Sequence, residues 1–504
     1  MTSAHKARRH KPVRGEPSRA PRETTAAPPT PPLWTRSLAV IVVIGALLRA
    51  YYLRQPMRYD ESVTYLYFAS QSWTNVISSY TYPNNHVFHS LLVKACATVL
   101  GDDPWVLRLP AFVAGVAMIP VTYAVGRRLF GSAAGYIGAA LVAGSGALVF
   151  YSTNARGYTM ICLATLLLAN ALAKLRERPS VLQWSVVVLV TALGIWTVPV
   201  MLFPAGGLAL WFVLSALHGD TSEPRADLLR FGLALVATSL LALLLYSPII
   251  VDGGLATLTG NAFVRATSWR VFFRQISQSV VPVLAASTLG FPIVVSVVIG
   301  ACAIVGLVQE RKNSSLRVSM AGCMYVWCAL VLLVTHRAPF YRVWLFVIAP
   351  VALLAGHGII RVLSRVTLTS ERFAGRAGDL SVAVAMALSL AIILTGEVST
   401  SRDTGTLRDG ERIAKAFSTS LRPGDRVFAP IPSNAPLAYY FVRAGLDTTH
   451  LSSVPSDSSR VYLVVNTAEG FALNTGLGDP LLRLFHKARL VTTYPSAEVY
   501  QLYR

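Results

Sequence analysis

Two carboxylates stand side by side within a few residues of the end of the chain's first apolar run: Asp60 and Glu61, in RYDES (58–62). Ionisable groups at membrane depth are expensive and mark functional sites, but this pair lies just outside the run, where a solvated loop start is an equal reading. The neighbourhood changes the balance. YTYPNNHVFHSLL adds Asn84, Asn85, His86 and His89, and DDPWVLRLP adds Asp102, Asp103 and Arg108. YSTNARGYTM (151–160) brings Arg156 and Tyr158, and THRAPFYRVWLF (335–346) brings Arg337, Tyr341 and Arg342. Carboxylates, imidazoles and a guanidinium concentrated in one outer loop make a polar pocket at the bilayer surface. Guanidinium groups pair with phosphate oxygens in bidentate geometry, so the set suits a phosphate-bearing lipid head.

These residues are held by a hydrophobic frame. Of 504 residues, 54% are hydrophobic and only 14% charged, against about a quarter charged in soluble proteins. The chain is therefore an integral membrane protein. Its formal net charge of +21 does not point to nucleic acid, because the basic residues sit in short clusters between apolar runs rather than on a basic and aromatic face. The five cysteines, Cys96, Cys162, Cys302, Cys323 and Cys328, lie in or beside apolar runs, which argues against a disulfide framework or a cysteine zinc site.

A spanning helix needs about 20 largely apolar residues. Candidates lie near 34–53, 108–126, 132–150, 157–173, 181–196, 198–217, 230–250, 281–307, 317–335, 341–360 and 380–396, about eleven transmembrane helices in all. The segment 86–101 is apolar but short, with Lys94 in its middle. Read as non-spanning, it leaves the basic clusters from Arg127–Arg128 to Arg361/Arg365/Arg372/Arg376 on the side of the N-terminal tail, as the positive-inside rule requires. It is then a juxtamembrane helix at the outer interface, with Lys94 reaching for headgroups. The predicted fold is an α-helical polytopic membrane protein with a small C-terminal extracytoplasmic α/β domain. Residues 1–33 form a disordered basic cytoplasmic tail, rich in Pro, Arg and Ala. Residues 34–396 form the membrane domain, with outer loops 54–107 and 251–279. Residues 397–504 form the outer domain. There, RDGERIAKAFSTSLRPGD, APLAYYFVRAGL and PLLRLFHKA read as helices, and RVFAPI and RVYLVVN as strands. GSAAGYIGAALVAGSG (131–146) has the small-residue spacing of close helix packing. No GxGxxG or P-loop pattern occurs, so no nucleotide cofactor is expected.

An Asp-Glu pair after the first span, then WVLRLPAFVAGV, GRRLFG and YSTNARGYTM in that order, resembles the GT-C integral membrane glycosyltransferases. The pattern is most similar to glycosyltransferase family 39, with its protein O-mannosyltransferases and the aminoarabinose transferase of lipid A. The ordered motifs cover roughly residues 34–180. The resemblance implies transfer of a sugar from a polyprenyl-phosphate carrier to an acceptor hydroxyl on the outer side of the membrane, usually with inversion. It implies Asp60 as general base, with Glu61 holding Asp60 or the acceptor. It implies Arg108 on the departing phosphate, and Arg156 and Tyr158 in carrier binding. Tyr341 and Arg342 join the phosphate group on their outer-side placement alone.

Other readings stay open. Arg156 pairs equally well with an outer-loop carboxylate. Asn85, His86 and His89 are candidates for the sugar, while His86 and His89, three apart, share a helical face and with Glu61 are the candidate ligands of a divalent metal ion. The stretch reads PNNHVFH where relatives carry a Pro-Pro element, which points to a different sugar or acceptor. A transporter or flippase of a lipid-linked sugar also needs arginines, carboxylates and many spans, but such proteins carry midplane polar sites and internal repeats, and no clear repeat is visible. Expected partners are the lipid-linked donor, membrane lipids and an acceptor glycan, lipid or protein, with no nucleic acid. The expected setting is a bacterial inner membrane, with the N-terminus cytoplasmic and the C-terminal domain outside.

Overall fold

The computed structural model describes residues 35–504 apart from 83–84, 219–220, 222, 260–265, 288–292, 314–318, 367–369, 404, 452–459 and 475–484. Each of the eleven expected spans contains helix among the described residues. By length and composition seven of the described helices can cross a membrane, or eight if the bent pair Ser132–Ala143 and Gly146–Ser152 is one span. Arg36–Tyr52, Val181–Thr197 and Met320–Thr335, at 17, 17 and 16 residues, are shorter. Two expectations change in detail. The run read as 281–307 is divided between the helices Trp269–Ser287 and Ile293–Asn313. The run beginning at 341 opens with a 3-10 turn, Tyr341–Val347, before the helix Ile348–Val366.

The small-residue stretch packs as its spacing suggests. A Cβ on Gly135 would lie 2.8 Å from the Tyr123 carbonyl oxygen, so only glycine lets these helices approach so closely. The same stretch ends in a 59° bend. A bend of that size removes the i+4 donors of the last carbonyls. Arg49, fully buried on the first helix, replaces them: Nη1 donates to Ala143 O at 2.9 Å and Nη2 to Val142 O at 3.1 Å. Its Nε donates to Ser152 Oγ at 3.2 Å, fixing the short helix beyond the bend. That helix leads directly into the 153–157 turn.

Val87–Leu100 forms the short apolar helix expected at 86–101. Lys94, however, turns inward: it is 9% exposed, its ammonium donates to the carbonyls of Ala69 and Gln71, and it lies 5.0 Å from the Trp73 ring. The orphan carbonyls of a broken helix end outcompete a headgroup for it.

The C-terminal residues form a four-stranded sheet in the order β1-β2-β4-β3. β1 (Arg426–Phe428) runs parallel to β2 (Val461–Val465), and β3 (Lys487–Thr493) and β4 (Glu498–Tyr503) pair antiparallel, with β4 also against β2. All five residues of β2 are buried, as a continuous apolar run in a central strand should be. Helices Gly410–Ser420 and Asn434–Arg443 cover it, matching two of the three expected there. The third, read over 480–488, falls mostly outside the described residues, and its end, Lys487–Ala488, belongs to β3 instead.

Candidate active site

The helix Tyr59–Thr64 starts just after the first span and carries both carboxylates into the protein, Asp60 at 7% exposure and Glu61 at 0%. Their environments differ. Glu61 accepts from Arg108 Nε at 3.0 Å and from Arg108 Nη2, from the Ala155 N–H at 2.9 Å, and from the Arg58 N–H at 2.9 Å. Burial alone would raise the Glu61 carboxyl, but Arg108, with Arg58 and the Ala155 N–H, outweighs it and holds the group below the usual carboxylate range. Arg108 is equally engaged. Its other hydrogens go to the carbonyls of Leu53 (2.7 Å), Gln55 (2.6 Å) and Pro56 (2.9 Å), so all five N–H groups have protein acceptors. No hydrogen is left for a phosphate. The geometry makes Arg108 the clamp of the 53–61 turn, a correction to the phosphate contact expected from sequence.

Asp60 faces the other way. Its Oδ2 lies 3.1 Å from Arg342 Nη1. Arg342 belongs to the 3-10 turn Tyr341–Val347 and lies over the Phe340 ring at 4.8 Å. Its neighbour Tyr341 donates its hydroxyl to Asp403 Oδ2, as does Tyr151, and the two tyrosine oxygens are 3.0 Å apart. Asp403 and Tyr151 were not singled out in the sequence. Nothing in SRDTGTL distinguishes Asp403, which reaches the site from the segment linking the last span to the C-terminal sheet.

Arg156 is 2% exposed; Nη1 donates to Thr64 Oγ1 at 3.1 Å and Nη2 faces His86 Nε2 at 3.1 Å. It therefore touches the back of the carboxylate-bearing helix. His86 Nδ1 accepts from the Gly157 N–H at 2.9 Å, and a Cβ on Gly157 would come within 2.5 Å of Thr197 Cγ2 and 3.0 Å of that nitrogen. Tyr158 stands edge-on to His86, with ring centroids 5.0 Å apart. Burial, then Arg156, His89 and Arg342, push His86 well below its ordinary pKa. His89 is buried completely, without a hydrogen-bond partner at either ring nitrogen, and burial followed by Arg156 lowers it to about 3. Asn85 directs both amide hydrogens inward, to Val76 O (3.0 Å) and Ser79 O (2.8 Å), so it pins its own loop.

The proposed metal ligands do not fit a metal. Glu61 is locked by Arg108, His86 faces an N–H group at each nitrogen, and His89 lies beside the Arg156 charge. Among the described residues no three His, Cys, Asp or Glu side chains converge as a ligand set. Glu61, His86 and His89 are therefore not a metal triad in this structure.

The C-terminal residues close over this loop. Tyr59 N–H donates to Gly405 O at 3.0 Å and Arg58 pairs with Thr406 as an isolated bridge. Met57 N–H donates to the Tyr440 hydroxyl at 3.0 Å, and the Tyr439 hydroxyl donates to Asp102 O at 2.6 Å. Asp102 and Asp103, candidates for the polar pocket, are paired with Arg443 instead.

Comparison with solved structures decides the architecture. ArnT from Cupriavidus metallidurans bound to undecaprenyl phosphate superposes with a TM-score of 0.61 at 14% identity, over 92% of this chain and 97% of that one. The chain has the GT-C fold. The apo form of the same protein gives a TM-score of 0.62 at 13% identity, over the same shares of the two chains. The Archaeoglobus fulgidus oligosaccharyltransferase, in complex with Zn and sulfate, gives 0.54 at 11% identity over 91% of this chain and 72% of that one. The family model described as dolichyl-phosphate-mannose-protein mannosyltransferase matches residues 85–251, the part of the GT-C fold that holds His86, Arg108 and Arg156 but not Asp60. No curated protein matches the sequence.

Proposed function

We propose that this chain is a glycosyltransferase that moves a sugar from a polyprenyl-phosphate donor to an acceptor hydroxyl at the extracytoplasmic face, with Asp60 as general base. The Asp60–Arg342 pair carries the reading: a carboxylate suited to taking a proton lies 3.1 Å from a guanidinium suited to a phosphate oxygen. The ArnT structure bound to undecaprenyl phosphate supports a polyprenyl monophosphate carrier. The Archaeoglobus fulgidus oligosaccharyltransferase tethered to an acceptor peptide supports an acceptor that binds beside the donor.

In this reading the acceptor oxygen attacks the anomeric carbon as Asp60 takes its proton. The bond between that carbon and the phosphate oxygen breaks with inversion, and the electron pair leaves with the carrier phosphate. Arg342 releases Asp60 to hold that phosphate as charge develops, with Tyr341, Tyr158 and Arg156 around it. His86 stays neutral and fixes the Arg156 turn, and Glu61 with Arg108 sets the helix that aims Asp60. The N-terminus is then cytoplasmic and the C-terminal residues lie outside, in a bacterial inner membrane. A transporter would need its polar groups at midplane, whereas Asp60, Arg108, Arg156 and Arg342 all lie at helix ends or turns.

The test is transfer from a radiolabelled panel of polyprenyl-phosphate sugars to membranes of the source cell, by wild type and Asp60→Asn. Transfer that collapses in the variant while carrier binding persists supports the reading. Equal transfer by both removes Asp60 as base, and carrier binding without transfer by either moves the assignment to a transporter.

A further inference from the structure

Buried arginines in this chain differ in how fully they are satisfied. Arg108 has protein acceptors for all five N–H groups, and Arg49 for four. Arg58 is as deeply buried, at 2% exposure, yet its guanidinium makes two hydrogen bonds: Nη2 to Gln55 Oε1 at 2.6 Å and Nη1 to Phe150 O at 3.5 Å, the second at the limit of what counts as one. One face of the guanidinium lies over the Phe150 ring, 3.8 Å from its centroid, and its hydrogens are fewer bonded than those of Arg108 or Arg49.

Arg58 lines a cavity of about 160 Å³ together with Gln55, Pro56, Ser399, Thr406 and Arg408. At ~30 Å³ per water, that is room for a tetrahedral oxyanion with water around it. Among the described residues the lining includes two guanidinium groups and no carboxylate. Gln55 adds to this: its oxygen is held by Arg58, and its buried Nε2 has no partner, so it too presents hydrogens. Arg408 is exposed and donates to Ser399 O at 3.2 Å, placing a second charge at the rim. The carboxylates acting electrostatically on Arg58 are Glu61 and Asp403. Glu61 is held by Arg108 and Asp403 by the Tyr151 and Tyr341 hydroxyls, and neither lines the cavity. Asp60 and Arg342 do not line it either.

We propose that the Arg58–Arg408 cavity is a second oxyanion site, distinct from the Asp60–Arg342 pair, that binds a phosphate group. The phosphate comes from an anionic lipid head or from free phosphate. Either neutralises Arg58 and bridges the turn after the first span to the 399–408 linker. The site does not rest on the transferase reading.

The test uses the purified full-length chain, with its unfolding midpoint followed against inorganic phosphate at constant ionic strength, chloride serving as the control. In parallel, nanodiscs of phosphatidylcholine are compared with nanodiscs containing phosphatidylglycerol. A saturable rise with phosphate in wild type, at least tenfold weaker in Arg408→Glu and in Arg58→Lys, establishes the site with free phosphate as ligand. A rise with phosphatidylglycerol alone, lost in Arg408→Glu, establishes it with a lipid head as ligand. Arg408 is exposed, so its variant tests the site even if Arg58→Lys does not fold. No saturable effect of either ligand, or equal effects in wild type and Arg408→Glu, overturns the proposal. Loss of the effect in Arg342→Gln with retention in Arg408→Glu overturns it as well, by assigning the phosphate to the Asp60 pair.

Discussion

Glu61 and Asp60 are consecutive in the chain and opposite in circumstance. Around Glu61 every polar atom is matched: Arg108 gives five hydrogens to one carboxylate and three carbonyls, and two backbone N–H groups complete the knot. Asp60 instead pairs at 3.1 Å with an arginine from a different turn that is itself 19% exposed. A closed, fully satisfied charge network holds a shape, whereas a charge pair with a detachable partner can exchange that partner for a ligand. In the proposed reading the neighbours divide the work, one rigid and one reactive, and helix geometry allows both from adjacent positions by pointing them about 100° apart.

Breaking the knot should have the largest consequence. Arg108→Ala leaves Glu61 buried without its cation, and the expected loss is about 3–5 kcal/mol, read as a lowered denaturation midpoint and poor recovery from the membrane. A midpoint equal to wild type would erase the contrast. Asp60→Asn should show the reverse pattern, with transfer reduced by ~10²–10⁴-fold and a midpoint lowered by no more than about 1 kcal/mol. Asp403→Asn sharpens the comparison from a distance. It weakens the anchor of Tyr341 and so the aim of Arg342, and kcat should fall about tenfold, equivalent to ~1.4 kcal/mol, whereas a rate fully restored by added donor would place the defect in binding instead.

The smallest effect is a slope. His86 and His89 are held below their ordinary pKa, His89 at about 3, so near neutral pH both states of the chain carry them uncharged. Below ~6.5 the unfolded chain takes up protons that the folded chain refuses, and stability falls as pH falls, by up to ~1.4 kcal/mol per pH unit for each histidine. Glu61, held low by Arg108, adds its own loss only below ~4.3. His89→Phe should flatten the upper part of this decline in melting curves taken from pH 7 to 5, and an unchanged slope would show that His89 is hydrated in solution.

The sequence made the membrane character and the helical segments legible because apolar length is a local property. The carboxylate pair was legible as well, since two adjacent acids after a span are conspicuous by type. The division of labour between them was not, because it depends on Arg108 and Ala155 returning to Glu61 from 47 and 94 residues away. Lys94 was misread for a related reason: its acceptors, Ala69 O and Gln71 O, are backbone atoms freed by a local helix end that residue types do not reveal. Arg108, expected from the family motif on the departing phosphate, spends its hydrogens on Glu61 and three backbone carbonyls that its own residue type does not reveal. Strand β3, with six of its seven residues exposed and the seventh, Ala488, half-buried, has no pattern strong enough to compete with a helix reading.

The bridge between Tyr59 and Gly405 also sets a timetable. Chain synthesis proceeds from the N-terminus at several residues per second, and the partners of the 57–59 turn lie in the last hundred residues, at Gly405, Thr406 and Tyr440. A nascent chain that has reached residue 396 has made every span but cannot have assembled its carboxylate site. The turn that carries the two carboxylates therefore takes its final form only after residue 440 has been made, and a chain cut short before Gly405 would enter the membrane with that turn unbridged.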